Sequence, residues 1–325
     1  MKILIVRLSS IGDIVLATPL IRCLRNKYPS AQIDFILKEK YAEILSANPY
    51  ISNLVLFNGN LIKFAKKIKA EKYNIIIDIH RNFRSFILTL FSNAQIVRYK
   101  NFLFQRFLLT ELGLNFYRQK IPVAQRYLAA VKQLGVVDDN KGIDFFIDEK
   151  IKNKFVQLYK FEYISICPVA IWKTKRWPKE NFIALAKKII EKYNYNILIF
   201  GGKTDFEYCE SIKNQIGYTE KTKNLCGLSL QETAVVLTKC KHLLTNDTGL
   251  MHIAEALKIP VVAFFGPTVE EFGFYPQSAK SKVFAKNISC QPCSTKGSQI
   301  CPGGHFRCMK DITVDEVFSY CAANL

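Results

Sequence analysis

Short apolar runs alternate with amphipathic stretches along most of the chain. The runs Ile3 to Val6, Ile33 to Leu37, Leu54 to Phe57, Ile75 to Ile79 and Ile96 to Tyr99 predict strands, and apolar residues recur at helical spacing between several of them, as in Pro19 to Lys27 and Leu61 to Ala70. Strands that alternate with helices predict a parallel sheet. A polar passage from Val137 to Lys154 interrupts this rhythm. It then restarts through Tyr163 to Cys167, Phe182 to Lys192, Asn196 to Phe200, Leu230 to Lys239, His242 to Thr245, Met251 to Leu257 and Val261 to Phe265. Two α/β domains are expected, residues 1–154 and 155–311. A closing helix at 312–325 is opened by the capping-box spacing of Thr313 and Glu316.

Charge narrows the choice of partner. The chain has 46 basic and 27 acidic side chains, a net charge of +19. The excess concentrates between Lys63 and Lys132, with 14 basic and 3 acidic residues, so an acidic ligand or surface is expected there. Nucleic acid fits poorly, because the basic residues are not interleaved with aromatic binding motifs. The opening run carries Arg7 and is soon followed by Asp13, which is unlike a signal peptide. The longest uncharged apolar stretch, Ser85 to Val97, falls short of the roughly 20 residues that span a bilayer. A cytoplasmic chain is expected, with its ten cysteines reduced or bound to metal.

Doubly wound domains bind ligands where strands run into helix starts, and four such loops carry chemistry. Leu8 to Asp13 follows the first strand, and Pro19 suggests that the regular helix begins only there or is kinked. Asp13 is then a loop carboxylate at the cleft edge, either a turn residue or a general base. Ala170 to Pro178 places Lys173, Lys175 and Arg176 where a phosphate would lie, with Lys175 the preferred contact. Gly201-Gly202-Lys203-Thr204-Asp205 imitates the end of a P-loop, but Ile197 stands where its first glycine would be. An NTPase is therefore set aside, and Asp205 remains either a surface carboxylate or an acceptor for ribose hydroxyls. Asn246 to His252 turns a strand directly into a helix. The unpaired N–H groups and the dipole at that helix start suit a phosphate, with His252 on the first turn as a further donor.

As a set, these motifs resemble the ADP-heptose:lipopolysaccharide heptosyltransferases, glycosyltransferase family 9. The resemblance rests on Ile3 to Asp13, Thr18-Pro19-Leu20, Lys175-Arg176-Trp177-Pro178, Asn246 to His252 and Phe265-Gly266-Pro267-Thr268, in order over nearly the whole chain. It implies a GT-B fold: two facing Rossmann-like domains, with the acceptor on the first, the nucleotide sugar on the second, and a final helix packing back toward the first. It also implies an inverting, metal-independent transferase at the inner face of the bacterial inner membrane. By position, Asp13 matches the general base, and Lys175, Asp247, Thr248, Gly249, Leu250 and His252 match the donor-diphosphate site. Asp205, where some members carry glutamate, and Val169, where glycine is frequent, depart from the pattern.

The expected donor is ADP-heptose, and the expected acceptor is an anionic lipopolysaccharide precursor of the lipid A–Kdo type. Arg81 and Arg84, just past the strand Ile75 to Ile79, are the candidate acceptor cations. Phe102 to Leu109, flanked by Lys100 and Arg106, is either a bilayer-facing segment or a core-facing helix stripe. Cys290, Cys293, Cys301 and Cys308 have spacings that a structural zinc site uses, and His305 is nearby. The competing reading is another GT-B glycosyltransferase, or an epimerase, that uses a different nucleotide sugar.

Overall fold

The computed structural model describes residues 1–155, 157, 159 and 162–324. The chain divides into two compact units, one of residues 1–102 and 121–148, the other of 103–120 and 149–325.

The first unit carries five strands: β1 (Lys2–Val6), β2 (Gln32–Lys38), β3 (Asn53–Phe57), β4 (Ile75–Asp78) and β5 (Gln95–Arg98). All are parallel, in the order β3-β2-β1-β4-β5. Ile3, Leu4, Ile5 and Val6 of the central strand are all fully buried. A strand covered on both faces needs apolar residues at consecutive positions, so the pattern there is continuous. The helices of this part of the chain are α1 (Ile11–Val15), α2 (Thr18–Lys27), α3 (Leu61–Ala70) and α4 (Phe83–Leu90), then α5 (Leu103–Leu112) and α6 (Val123–Val131). Of these, α5 clusters with the second unit. Its segment is tied there by Lys120 to Glu270 at 2.6 Å, by Asn115 to Glu271 at 3.2 Å, and by Arg106 over the Phe272 ring at 4.9 Å. Sequence spacing alone would leave this segment with its neighbours in the chain.

The second unit has six parallel strands: β6 (Tyr163–Cys167), β7 (Asn196–Ile199), β8 (Thr222–Asn224), β9 (Cys240–Asn246), β10 (Val261–Phe265) and β11 (Lys282–Ala285). Their order is β11-β10-β9-β6-β7-β8. Its helices are α7 (Glu149–Phe155), α8 (Lys179–Tyr193), α9 (Phe206–Ile216), α10 (Leu230–Leu237), α11 (Gly249–Ala256), α12 (Arg307–Lys310) and α13 (Val314–Asn324). The expected capping box opens α13: Glu316 N–H donates to Thr313 Oγ1 at 3.2 Å, and Thr313 N–H to Glu316 Oε1 at 2.9 Å. α13 packs on α8, with Phe318 beside Tyr193.

Each sheet reverses its winding once, between β1 and β4 in the first unit and between β6 and β9 in the second. Neighbouring crossovers leave in opposite directions at such a point and open a crevice at the strand ends. The turns and helix starts after these four strands carry Asp13, then His80 to Arg84, then Lys175, then Asp247 to His252.

Candidate active-site loops

In the first unit the organising group is Arg7, the residue just past β1. It is only 9% exposed. Its Nε donates to Ser9 O at 2.6 Å and its Nη1 to Ile79 O at 2.7 Å, so one guanidinium joins the loops after β1 and β4. Its Nη2 pairs with Asp13 Oδ1 at 2.6 Å, and Ser10 donates to Oδ2 from Oγ at 2.8 Å and from N–H at 3.2 Å. Tyr127 places its hydroxyl 3.4 Å from Oδ1 and its ring against Arg7. Burial works to raise the Asp13 pKa, but the Arg7 charge and the Ser10 donors outweigh it, so the carboxyl is held below its usual value. Asp13 is thus an ionised acceptor in a positive surround. Sequence reasoning placed it off any helix body. Instead α1 begins at Ile11 and Asp13 lies in its first turn, while Pro19 falls at the second residue of a separate helix, α2. A carboxylate in a first turn also gains from the helix dipole.

The loop after β4 is built on Asp78, which is buried and accepts from His80 N–H at 3.1 Å, Arg81 N–H at 2.8 Å and Ser85 Oγ at 3.0 Å. Arg81 takes a left-handed backbone, φ 45°, and its Nη1 donates to Tyr99 O at 2.6 Å. Arg84 is exposed on the first turn of α4. His80, which sequence reasoning passed over, has a buried Nδ1 without a partner among the described residues and an Nε2 2.8 Å from the Asn82 amide nitrogen. An amide donor there makes Nε2 the acceptor and leaves the hydrogen on Nδ1. Burial and the Arg7 charge push the His80 pKa down to about 4, against a smaller upward pull from Asp13. The imidazole is neutral at physiological pH.

In the second unit, Trp177 explains how a lysine loop acquires a fixed shape. Its ring is fully buried, stacked on Phe264 at 4.3 Å, and its Nε1 donates to Ile312 O at 2.9 Å. Its backbone N–H donates to Asn246 Oδ1 at 2.8 Å, which binds the Lys175 loop to the end of β9. Lys175 pairs with Asp247, and Asp247 Oδ2 also accepts from Thr268 Oγ1 at 3.2 Å. An anion would be repelled by this carboxylate, so the geometry makes Asp247 the group that aims Lys175, with two ammonium hydrogens left to donate.

Thr248 stands at the N-cap of α11, but no side chain caps the helix: its Oγ1 lies 3.3 Å from Thr245 Oγ1 instead. The N-cap side chain therefore leaves the first-turn N–H groups of α11 open among the described residues, the arrangement that receives phosphate oxygens. Asp247, Thr248, Gly249 and Leu250 are partly exposed, whereas His252 is buried beneath them at 2% exposure. Among the described residues its Nδ1 has no hydrogen-bond partner, and it lies 3.9 Å from Glu255 Oε2. Asp205 ends a short turn whose Gly202 N–H donates to its Oδ2 at 3.0 Å, and it stands at the N-cap of α9. Its Oδ2 is thus engaged by the turn.

Cys290, Cys293, Cys301 and Cys308 feel one another electrostatically, and burial first, then its neighbours, pushes the Cys308 thiol up to about 12. A tetrahedral zinc holds its sulfurs about 4 Å apart. Among the described residues, the one set of three or more ligand atoms within 4.8 Å is Cys23, Asp138 and Asp139. The four sulfurs thus do not fit zinc as placed, although Cys290 Sγ lies 3.8 Å from His305 Nε2. In the alternative set, Arg22 already occupies Asp139 at 2.6 and 2.7 Å.

The chain is similar to known proteins over most of its length. The family model described as glycosyltransferase family 9 (heptosyltransferase) matches residues 61–302. Lipopolysaccharide heptosyltransferase 2 of Escherichia coli K12 is 26% identical over 306 residues, 87% of each chain. The structure of a family 9 glycosyl transferase from Veillonella parvula superposes with a TM-score of 0.82 at 25% identity, covering 99% of this chain and 96% of the other. That of the E. coli ADP-heptose lps heptosyltransferase II gives 0.75 at 24% identity, covering 99% and 98%.

Proposed function

The chain belongs to glycosyltransferase family 9, the heptosyltransferase family, and from that premise we propose that it moves heptose from ADP-heptose to the inner core of a lipopolysaccharide, onto an acceptor of the lipid A–Kdo type. The observation that carries this reading is the placement of a buried, ion-paired carboxylate and of a lysine beside an uncapped helix at the switch points of their respective sheets.

Transfer asks for two things: a proton must leave the attacking hydroxyl, and a diphosphate must be expelled with its charge. Asp13 takes the proton. Its lowered pKa makes it a weak base, which suffices when the hydroxyl is already bonding to an oxocarbenium-like anomeric carbon and is acidified by that bond. A single displacement of this kind inverts the anomeric configuration. Lys175, aimed by Asp247, and the first-turn N–H groups of α11 meet the charge that develops on ADP, a preorganised electrostatic arrangement. His252 backs that turn, and Asp205 serves the ribose. Lysine and helix end do the work that a divalent cation bound by an Asp-x-Asp motif does elsewhere, and this chain has no Asp-x-Asp. The proposed reaction is metal-independent.

Arg81 and Arg84 hold the phosphates and carboxylates of the acceptor. The protein works at the cytoplasmic face of the inner membrane as a peripheral enzyme. No helix among the described residues is long and apolar enough to cross a membrane. On α5, Leu103, Phe104 and Phe107 are exposed rather than core-facing, which supports the bilayer reading of that segment. The experiment is ADP release from ADP-heptose with and without acceptor, in the presence of EDTA. Acceptor-dependent release insensitive to EDTA supports the reading, and release abolished by EDTA removes the metal-independent mechanism.

A further inference from the structure

Helices α3 and α4 pack against each other over one face of the first sheet. Phe64 and Ile68 of α3 and Leu88 of α4 share a buried cluster with Leu4, Val6, Ile36 and Ile76 of the strands. The outer sides of both helices therefore turn away from the sheet together. On α4 that outer side is apolar: Phe83 is 75% exposed, and Phe86, Leu90 and the following Phe91 are about half exposed. Their spacing of three and four residues makes them one stripe. On α3 the outer side is basic, with Lys63, Lys66, Lys67 and Lys69 exposed and no acidic residue in the helix. Arg98 adds a guanidinium 6.0 Å from the Phe86 ring. The nearby acids are already committed, Glu71 to Lys2 at 3.2 Å and Asp78 within its loop.

A stripe of large apolar side chains in water marks an interaction site. The flanking row of cations selects the occupant. We propose that the α3–α4 face docks on an anionic lipid bilayer, with α4 lying in the interface plane, its aromatic side chains in the acyl boundary and the α3 lysines against lipid phosphates. A second copy of this chain would bring a like-charged face to the same surface, which opposes pairing. The placement also serves turnover, a consequence that rests on the heptosyl-transfer reading. α4 starts directly after Arg81, on the loop that Arg7 joins to the Asp13 loop. A lipid-anchored acceptor is thereby presented without leaving its membrane.

The test uses the full chain in flotation with vesicles of phosphatidylcholine alone or mixed with phosphatidylglycerol. Wild type is expected to float with the mixed vesicles and to be released by salt. The combined variant Phe83→Ser, Phe86→Ser, Leu90→Ser, Phe91→Ser should lose binding by about tenfold or more, and Lys63→Gln, Lys66→Gln, Lys67→Gln, Lys69→Gln should lose most of its salt-dependent part. Both should keep the wild-type melting transition and wild-type turnover of a water-soluble acceptor fragment lacking acyl chains. A folded α4 variant that floats like wild type overturns the proposal, as does a dimer in solution that this variant dissociates. If no variant, wild type included, transfers heptose while flotation behaves as expected, the transfer reading fails and the docking surface stands.

Discussion

At the residue scale the account turns on Asp13 and the guanidinium that holds it. Asp13→Asn should lower kcat by about 10²- to 10⁴-fold, the ordinary worth of a general base, and leave ADP affinity unchanged by calorimetry. Near-normal turnover would remove Asp13 from its role. Arg7→Met should destabilise the fold by about 3–5 kcal/mol in denaturant melts, because it leaves a buried carboxylate without its partner. Because the folded pKa of Asp13 is lowered, its contribution to stability is full above its unfolded value, near about 4, and is lost as pH falls below that. His80 titrates in a higher window. Its folded pKa of about 4 lies below the ordinary 6.5, so the fold resists protonation and loses stability as pH falls from about 6.5 toward about 4. Wild type should therefore lose about 2–3 kcal/mol more than His80→Gln between pH 7.5 and pH 4.5, and parallel losses would contradict the assignment. The place of Asp13 just past β1 was legible in the sequence because the end of an apolar run announces where ligands meet a doubly wound sheet, although its seat in a helical turn was not. Its partners were not. Arg7 read only as a charge interrupting an apolar run, and Tyr127 reaches Asp13 from a helix 114 positions away, which no local pattern encodes.

At the scale of elements, most strands were readable because strands buried on both faces are continuous apolar runs. β8 and β11 were not, being three and four residues long with lysine in each. α4 was missed for a related reason: its run from Ser85 is nearly all apolar, so length served to exclude a membrane span while its helical stripe went unread. In the second unit, Trp177 ties the lysine loop to β9 and β10, and Trp177→Ala should cost about 3–5 kcal/mol of stability in thermal or chemical melts. The same substitution should weaken ADP binding through loss of the loop's shape. Lys175→Ala and His252→Ala should each weaken ADP binding in calorimetry by about tenfold. Unchanged affinity in both would mean that the diphosphate lies elsewhere.

At the scale of the whole molecule, the +19 charge is informative once it is placed. Much of the excess lies on α3, the loop after β4 and the segment around α5. The base of the donor is the part least constrained by residues already identified, so it has its own test. In a thermal-shift series ADP should stabilise the protein more than UDP, GDP or CDP, by about 2.7 kcal/mol when present at 100 times its dissociation constant. The measurement that bears most directly on the account is mass spectrometry of a lipid A–Kdo acceptor incubated with ADP-heptose and either wild type or Asp13→Asn. The acceptor should gain one heptose, with one ADP released per transfer, from wild type and not from the variant. An acceptor that stays unmodified under wild type, or is glycosylated equally well by Asp13→Asn, would contradict it.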